Sequence, residues 1–300
     1  MHWMIRLRRY LAVAFAAVSI ASVAACASST DKGASTASSV AGAVKAAADP
    51  AACAKSATLT SGKLTIATGT PAFSPWVEND KPESGEGFEA AVAYAIADKL
   101  GFAKDKVIWV RTSFEEAIQP GKKSFDFNMQ QFSITDDRKK AVDMSSSYYT
   151  TNQSLVGYAD SKAGSAKAVK DLAGLKLGAQ AGTTSLEFIN NVIKPSNKPF
   201  VYDDNVGAKA ALESKQIDGI VVDLPTGFFI SAVEIENTKV IGQFAPEAGK
   251  ADQFGLVLDK GSKLTSCVDG ALAKLTADGS LAKLVTTWLA DKTGAPVFAK

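Results

Sequence analysis

Arg138 lies in the run Phe132, Ser133, Ile134, Thr135, Asp136, Asp137, Arg138, immediately after a stretch that reads as a buried strand. Beyond the first ten residues the chain draws its positive charge from lysine, and Arg111 is the only other arginine. A planar guanidinium grips a carboxylate through two parallel hydrogen bonds, which a lysine ammonium cannot reproduce. The hydroxyls and backbone amides of Ser133 and Thr135, placed near a helix start, are further donors suited to an anion. The same residues also fit a surface arginine in a helix that follows a strand, so this run alone leaves both readings open.

The amino terminus says where such chemistry takes place. Arg6, Arg8 and Arg9 precede an apolar stretch, 10–21, that is too short to span a bilayer. It ends in Val23, Ala24, Ala25 and Cys26, which resembles a bacterial lipobox. The expectation is a signal peptide over 1–25, diacylation of Cys26, and an extracytoplasmic protein lipid-anchored to the cell membrane, two acyl chains being enough for stable anchoring. An ordinary signal peptide with an incidental cysteine is the alternative.

Removal of 1–25 takes three arginines and no acid, leaving 30 basic against 31 acidic residues. A near-neutral chain without a basic cluster has no electrostatic footprint for nucleic acid. Removal also takes His2, the only histidine. A chain without histidine cannot build a Ser-His-Asp or Cys-His arrangement and lacks the commonest ligand of a catalytic zinc. No metal and no cofactor are called for. Two thiols remain after lipidation, Cys53 and Cys267. Outside the cytoplasm an even remainder favours a disulfide, with two separate thiols as the alternative.

Residues 26–58 are mostly Ala, Ser, Gly and Thr with few large apolar side chains, the composition of a flexible tether. Beyond them, short apolar runs alternate with helical periodicity. Strands are expected at 64–67, 107–110, 125–132, 154–157, 176–179, 200–202, 219–222, 240–242 and 255–258. Phe88, Ala91, Val92, Ala95, Ile96 and Leu100 mark a helix ended by Gly101, and further helices are expected near 114–118, over 263–276 and over 280–290. Alternation with short connections predicts an α/β protein with mainly parallel sheets.

The order of Gly85-x-Gly87-Phe88-Glu89, Phe125-Asp126, Ser133-Ile134-Thr135 with Arg138, Val142-Asp143-Met144-Ser145 and Tyr148-Tyr149 resembles the solute-binding proteins of family 3, the extracytoplasmic receptors of polar amino-acid ABC importers. The likeness continues through 178–184, 217–223 and 278–283. It implies a two-lobed periplasmic-binding-protein fold of type II, with lobe 1 at 59–153 and 254–300, lobe 2 at 154–253, and two crossing strands near 151–155 and 252–255 as the hinge. It also implies partners: an ABC permease and its ATPase, served by a monomer that captures a small amino acid.

The resemblance gives Arg138 the ligand's α-carboxylate, with Ser133 and Thr135 as additional contacts from the same lobe. Thr183 matches a second-lobe donor to that carboxylate, though the site also reads as a simple helix cap, with Thr184 or Ser185 doing the capping. Asp223 matches the acid that takes the α-ammonium, and it also reads as an N-cap for a helix near Pro225. Phe73 and Trp76 lie in the loop where the family places an aromatic over the ligand, and Phe132 is placed to pack on the other side; all three also fit core positions. Two departures stand out. Gly69 occupies the end of the first strand, where many members carry an acid, and Gln131 stands where a small residue is usual. Together they point towards a neutral polar amino acid. Two other functions remain on the same fold: a cyclohexadienyl-dehydratase-like enzyme, for which Glu78 and Glu187 are available acids, and a solute-sensing receptor.

Overall fold

Strand β1 (Leu64–Thr68) is buried along its whole length and pairs in parallel with β2 (Val107–Arg111) on one side and β3 (Phe127–Asn128) on the other. Such unbroken burial is what a central strand covered on both faces requires. The chain then continues through β4 (Asp143–Met144), β5 (Tyr149–Thr151), β6 (Gln153–Tyr158), β7 (Leu177–Gln180), β8 (Phe200–Tyr202), β9 (Gly219–Asp223), β10 (Thr238–Gln243), β11 (Asp252–Phe254) and β12 (Val257–Leu258). These elements come from a computed structural model that describes residues 45–246, 251–289 and 294–300.

Among the described residues the strands form two five-stranded sheets, ordered β2-β1-β3-β12-β4 and β10-β6-β9-β7-β8, and β5 and β11 cross between them as an antiparallel pair. The pairing is mixed rather than mainly parallel. The chain re-enters the first sheet through β12, which runs antiparallel to β3 and β4, and β6 runs antiparallel to both β9 and β10. Alternating strands and helices fix the parallel cores of each lobe, but the strands that enter and leave the crossings must reverse direction. Only Phe127–Asn128 of the expected 125–132 strand is strand; Met129 still donates to the Ala67 carbonyl, and the chain then leaves the sheet, with Gln130 and Gln131 lining a cleft.

Helices α1 (Pro50–Ala54), α2 (Phe88–Lys99), α3 (Phe114–Ile118), α4 (Asp136–Ala141), α5 (Thr184–Phe188), α6 (Asn205–Glu213), α7 (Leu224–Phe229), α8 (Leu264–Ala277) and α9 (Ser280–Leu289) fill the connections. The side chains of Phe88, Val92, Ile96, Leu264, Val268 and Leu272 build the first core with Leu64, Ile66 and Phe127. Gly87 starts α2 at φ 97°, and a Cβ there would lie 2.6 Å from the Trp76 carbonyl oxygen, so only glycine lets the loop pass. The second lobe has separate clusters on the two faces of its sheet, around Leu177 and Ile189 and around Leu212 and Ile220.

Two boundaries differ from expectation. The tether expected to reach residue 58 is already helical at Pro50–Ala54, where Asp49 caps the helix and Pro50 sits in its first turn. The carboxyl end expected in lobe 1 lies instead on the second sheet: Val297 and Ala299 bridge to Gln243 and Ala168, and Phe298 stacks on Phe244. Phe298 is the anchor, an apolar side chain that finds its core after α9 has closed the first lobe. The expected signal peptide, the expected lipidation site Cys26 and the expected tether up to residue 44 lie outside the described residues.

A disulfide joins Cys53 of α1 to Cys267 of α8, with Cα atoms 5.5 Å apart and a sequence separation of 214. Mass spectrometry of a non-reduced digest should therefore recover the Cys53 and Cys267 peptides as one cross-linked species. Replacing both by serine should lower unfolding stability by about 2–5 kcal/mol, the usual effect of removing such a link. Two freely alkylated thiols in the unreduced, unfolded protein would contradict the bond.

Candidate functional site

The strand ends of both lobes converge on one cleft. Thr68 ends β1, Gln130 and Gln131 follow β3, Gln180 ends β7, Asp203 follows β8 and Asp223 ends β9, and all of these line a cavity of about 260 Å³. Ligand crevices of α/β sheets lie at such carboxyl ends, because the loops there diverge to either side. Thr70, Phe73, Ser133, Arg138, Thr183 and Thr184 complete much of the wall.

Arg138 is buried at the first turn of α4, whose N-cap is Thr135. Its Nη1 donates to the Ser133 carbonyl at 2.7 Å and its Nη2 to the Gly182 carbonyl, in the other lobe, at 2.8 Å. The guanidinium also lies 5.3 Å from the centre of the Phe114 ring. Burial lowers its pKa, while Glu187 and Asp252 oppose that shift. Three of its five N–H donors are not used by these two bonds.

Asp223 caps α7. One oxygen accepts from the Thr226 N–H at 3.0 Å and the other from the Thr226 hydroxyl at 2.8 Å. That hydroxyl in turn accepts from the Trp76 indole N–H at 2.8 Å, across the cleft. Burial pushes the Asp223 carboxyl up to about 6, against the lowering effect of the two Thr226 bonds.

The remaining candidates divide. Ser133 lines the cavity, and its hydroxyl meets Thr184 at 3.0 Å across the seam. Thr183 lines it too, but its hydroxyl accepts from the Leu186 N–H and donates to the Gln180 carbonyl, so its side chain acts as a helix cap. Phe73 lies on the wall, with Lys209 of the second lobe 5.1 Å from its ring. Gln131 is present at φ 51°, its N–H and side-chain amide both directed at Glu89.

Three candidates do not reach the cavity. Thr135 spends its hydroxyl on the Arg138 N–H and borders a neighbouring cavity instead. Trp76 is buried in a cluster of Phe88, Tyr149 and Phe254, with only its N–H meeting the other lobe. Phe132 is fully buried against Phe114, 4.7 Å between centroids. In each case apolar bulk or capping geometry took the side chain inward.

Several participants carried no sequence signal strong enough to single them out. Asp252, on the crossing strand β11, accepts from Gln153 at 2.6 Å and Thr184 at 3.0 Å, and also from Ser133, so one carboxylate ties the hinge to both lobes. Glu89, buried in α2, accepts from Tyr148 and from both amide groups of Gln131. Its carboxyl is pushed up to about 7 by burial, the three hydrogen bonds opposing the shift and Asp223 adding to it. The Gly-Phe-Glu run marked Glu89, but not that it would be enclosed.

Raised carboxyl pKa values have a definite sign for stability. Glu89 and Asp223 hold their protons more tightly folded than unfolded, so between about pH 4 and 7 the folded state binds the excess protons. Stability is then greatest at the acid side of that window and falls as pH rises through 6 and 7. The thermal midpoint of the ligand-free protein should rise between pH 8 and pH 5.5, and Glu89→Gln should flatten that rise. A wild-type midpoint unchanged over this range would count against these assignments.

Known proteins share this arrangement of lobes and cleft. The profile of bacterial extracellular solute-binding proteins, family 3, matches residues 64–291. The chain is 28% identical over 232 residues to the arginine-binding extracellular protein ArtP of Bacillus subtilis, covering 76% of this chain and 87% of that protein. It is 32% identical over 204 residues to a probable histidine-binding protein of Campylobacter jejuni, covering 66% and 73%. Among solved structures, an ancestral arginine-binding protein bound to glutamine superposes with a TM-score of 0.63 at 29% identity, covering 77% of this chain and 99% of that one. An ancestral amino acid-binding protein described as a precursor of cyclohexadienyl dehydratase gives 0.62 at 28% identity, covering 76% and 95%.

Proposed function

Since the chain belongs to the bacterial extracellular solute-binding proteins of family 3, we propose that it holds the zwitterion of an amino acid in the cleft between its lobes and hands it to an ABC importer. The observation that carries this reading is the pairing of a buried Arg138 with Asp223 on one cavity wall, a cation and an anion contributed by opposite lobes. Arg138 suits an α-carboxylate, since its fork retains donors after the two carbonyl bonds. Asp223 suits an α-ammonium, its oxygens each having a lone pair left beside the Thr226 bonds. Ser133 and the Thr183 backbone add polar edges around the carboxylate, and Phe73 covers the ligand's side chain. The expected Cys26 anchor would keep the protein beside its permease and ATPase in the membrane.

Capture rather than turnover is supported by where the acids lie. Neither Glu78 nor Glu187 lines the cavity, and Glu89, whose pKa of about 7 would suit a general acid, lies behind Gln131. Among the described carboxyls raised to about 6 or 7, only Asp223 lines the cavity, and in this reading it is committed to the ligand's α-ammonium. Incubation with prephenate or arogenate should yield no aromatic product.

Arg138→Ala should abolish amino-acid binding while the protein remains folded, since truncating a buried charged partner typically costs about 2–5 kcal/mol. Arg138→Lys should also lose most affinity, a single ammonium being unable to replace the fork. Near-normal affinity by calorimetry in either folded variant would refute the carboxylate role.

Binding energy shared between Arg138 of one lobe and Asp223 of the other favours the closed arrangement, since a ligand shifts a conformational equilibrium by its differential affinity. Small-angle scattering should give a smaller radius of gyration at saturation than in the ligand-free protein. An unchanged radius at confirmed full occupancy would speak against closure as the signal.

A further inference from the structure

Among the described residues three buried side-chain atoms lack a hydrogen-bond partner: the oxygens Asn128 Oδ1, Gln130 Oε1 and Asn205 Oδ1. Buried acceptors are nearly always satisfied in folded proteins, so an orphan in a cavity wall points to a donor that arrives with a ligand. Asn128 sits in the core, its amide already donating to Thr112. The other two line the cavity, one from each lobe: Gln130 after β3 and Asn205 at the start of α6.

The place of Gln130 is set by its neighbour. A Cβ on Gly69 would lie 2.9 Å from Gln130 Nε2 and 2.9 Å from the Pro71 carbonyl oxygen. The missing side chain at Gly69 is what lets the Gln130 amide lie across the end of β1. Arg111 fixes that end, donating to the Gly69 carbonyl at 2.8 Å while paired with Asp80.

The charges on the wall are already committed. Arg138 and Asp223 are assigned to the ligand's α-groups. Asp204 caps α6 through the Gly207 N–H at 2.9 Å, and Asp203 is exposed to solvent. A ligand side chain lying against Gln130 thus meets neutral acceptors and no buried, uncommitted carboxylate. A cationic side chain there would be desolvated with only the solvent-screened Asp203 and the helix-capping Asp204 as counter-charge, an anionic one would face acceptors and the same aspartates, and an apolar one would leave both oxygens unpaired.

We propose that Gln130 and Asn205 select the ligand, and that they select an amino acid whose side chain ends in uncharged N–H donors, a primary carboxamide as in glutamine. The amide of such a side chain has two hydrogens for two orphan oxygens and a carbonyl for a returning donor. This inference rests on the amino-acid-binding reading and adds the class of side chain to it.

The test is calorimetry of the purified protein with L-glutamine, L-arginine, L-glutamate and L-leucine, repeated on Gln130→Leu and Gln130→Glu with folding checked by circular dichroism. L-Glutamine is expected to bind most tightly. Gln130→Leu, which keeps the bulk and removes the acceptor, should weaken it about 10- to 100-fold. Gln130→Glu, which places a carboxylate over Gly69, should shift preference towards L-arginine by at least about tenfold. Tighter binding of L-arginine, L-glutamate or L-leucine by the wild type, or wild-type affinity for L-glutamine in Gln130→Leu, would overturn the inference while leaving amino-acid capture intact. If one variant fails to fold, the other and the wild-type order decide. Binding of none of the four, with no response across the remaining amino acids, would overturn both.

Discussion

One guanidinium is bonded to both halves of this molecule. Arg138 reaches the Ser133 carbonyl in its own lobe and the Gly182 carbonyl in the other, and it does so while buried. A buried cation must be surrounded by acceptors, so its presence dictates that two loops place their carbonyls at one point. The rest of the seam is built to make that point reproducible. Asp252 gathers Gln153, Thr184 and Ser133 beside it, and Gln153 in turn accepts from Ser185 at 2.7 Å. The crossing strands β5 and β11 bring those residues together, which is why the hinge and the arginine are one structural problem.

The second tie across the cleft runs from Trp76 to Thr226 to Asp223, with every hydrogen bond pointing towards the carboxylate. Because the Thr226 hydroxyl accepts from the indole, its own proton is committed to Asp223. That direction matters for any cation approaching the acid. A carboxylate held by two donors stays in place and keeps outward lone pairs, while burial pushes its pKa up to about 6 in spite of those bonds. Glu89 behind Gln131 shows the same compromise in stronger form, with a pKa of about 7. The wall nearest the ligand space is thus stiffened by acids that ionise reluctantly, a state an incoming ammonium would relieve.

Much of this is legible in the sequence and the rest is not, for physical reasons. The strands β1, β2, β6 and β9 are dense apolar runs, and the periodicity of α2 and α8 follows directly from residues such as Val92, Ile96, Val268 and Leu272. Arg138 stands out because arginine is so rare in this lysine-rich chain, and Asp223 because a carboxylate directly follows an apolar strand. Trp76 and Phe132 do not announce their true places, since an aromatic in a cleft loop reads alike whether it faces ligand or core; only the packing against Phe88, Phe254 and Phe114 decides. Asp252 and Thr184 acquire their roles from a contact across 68 residues of sequence, which no local pattern encodes. The antiparallel strands and the final tail, which docks on the second sheet through Phe298, are likewise long-range outcomes.

The two lobes differ in how firmly each is held, and the difference bears on which one moves. The first is closed by α8 and α9 packing on α2 and by the Cys53–Cys267 link. It carries one half of the cleft, with Arg138, Gln130 and the Arg111-braced end of β1. The second has its core divided between two faces, and the tail over 294–300, which follows the first lobe's last helix in sequence, joins it through isolated bridges at Gln243 and Ala168. That tail is a third covalent passage between the lobes, since it follows α9 and ends beside Gln243 and Ala168. Any opening of the cleft must therefore bend the β5 and β11 crossings and also displace or carry the Phe298 anchor. Because Phe298 stacks on Phe244, directly beside the end of β10, a rotation of the second lobe as a unit carries the anchor with it and leaves that core intact. Rigid rotation about a few connecting residues is the cheaper route, because the packed faces around Leu177 and Ile220 need not be disturbed.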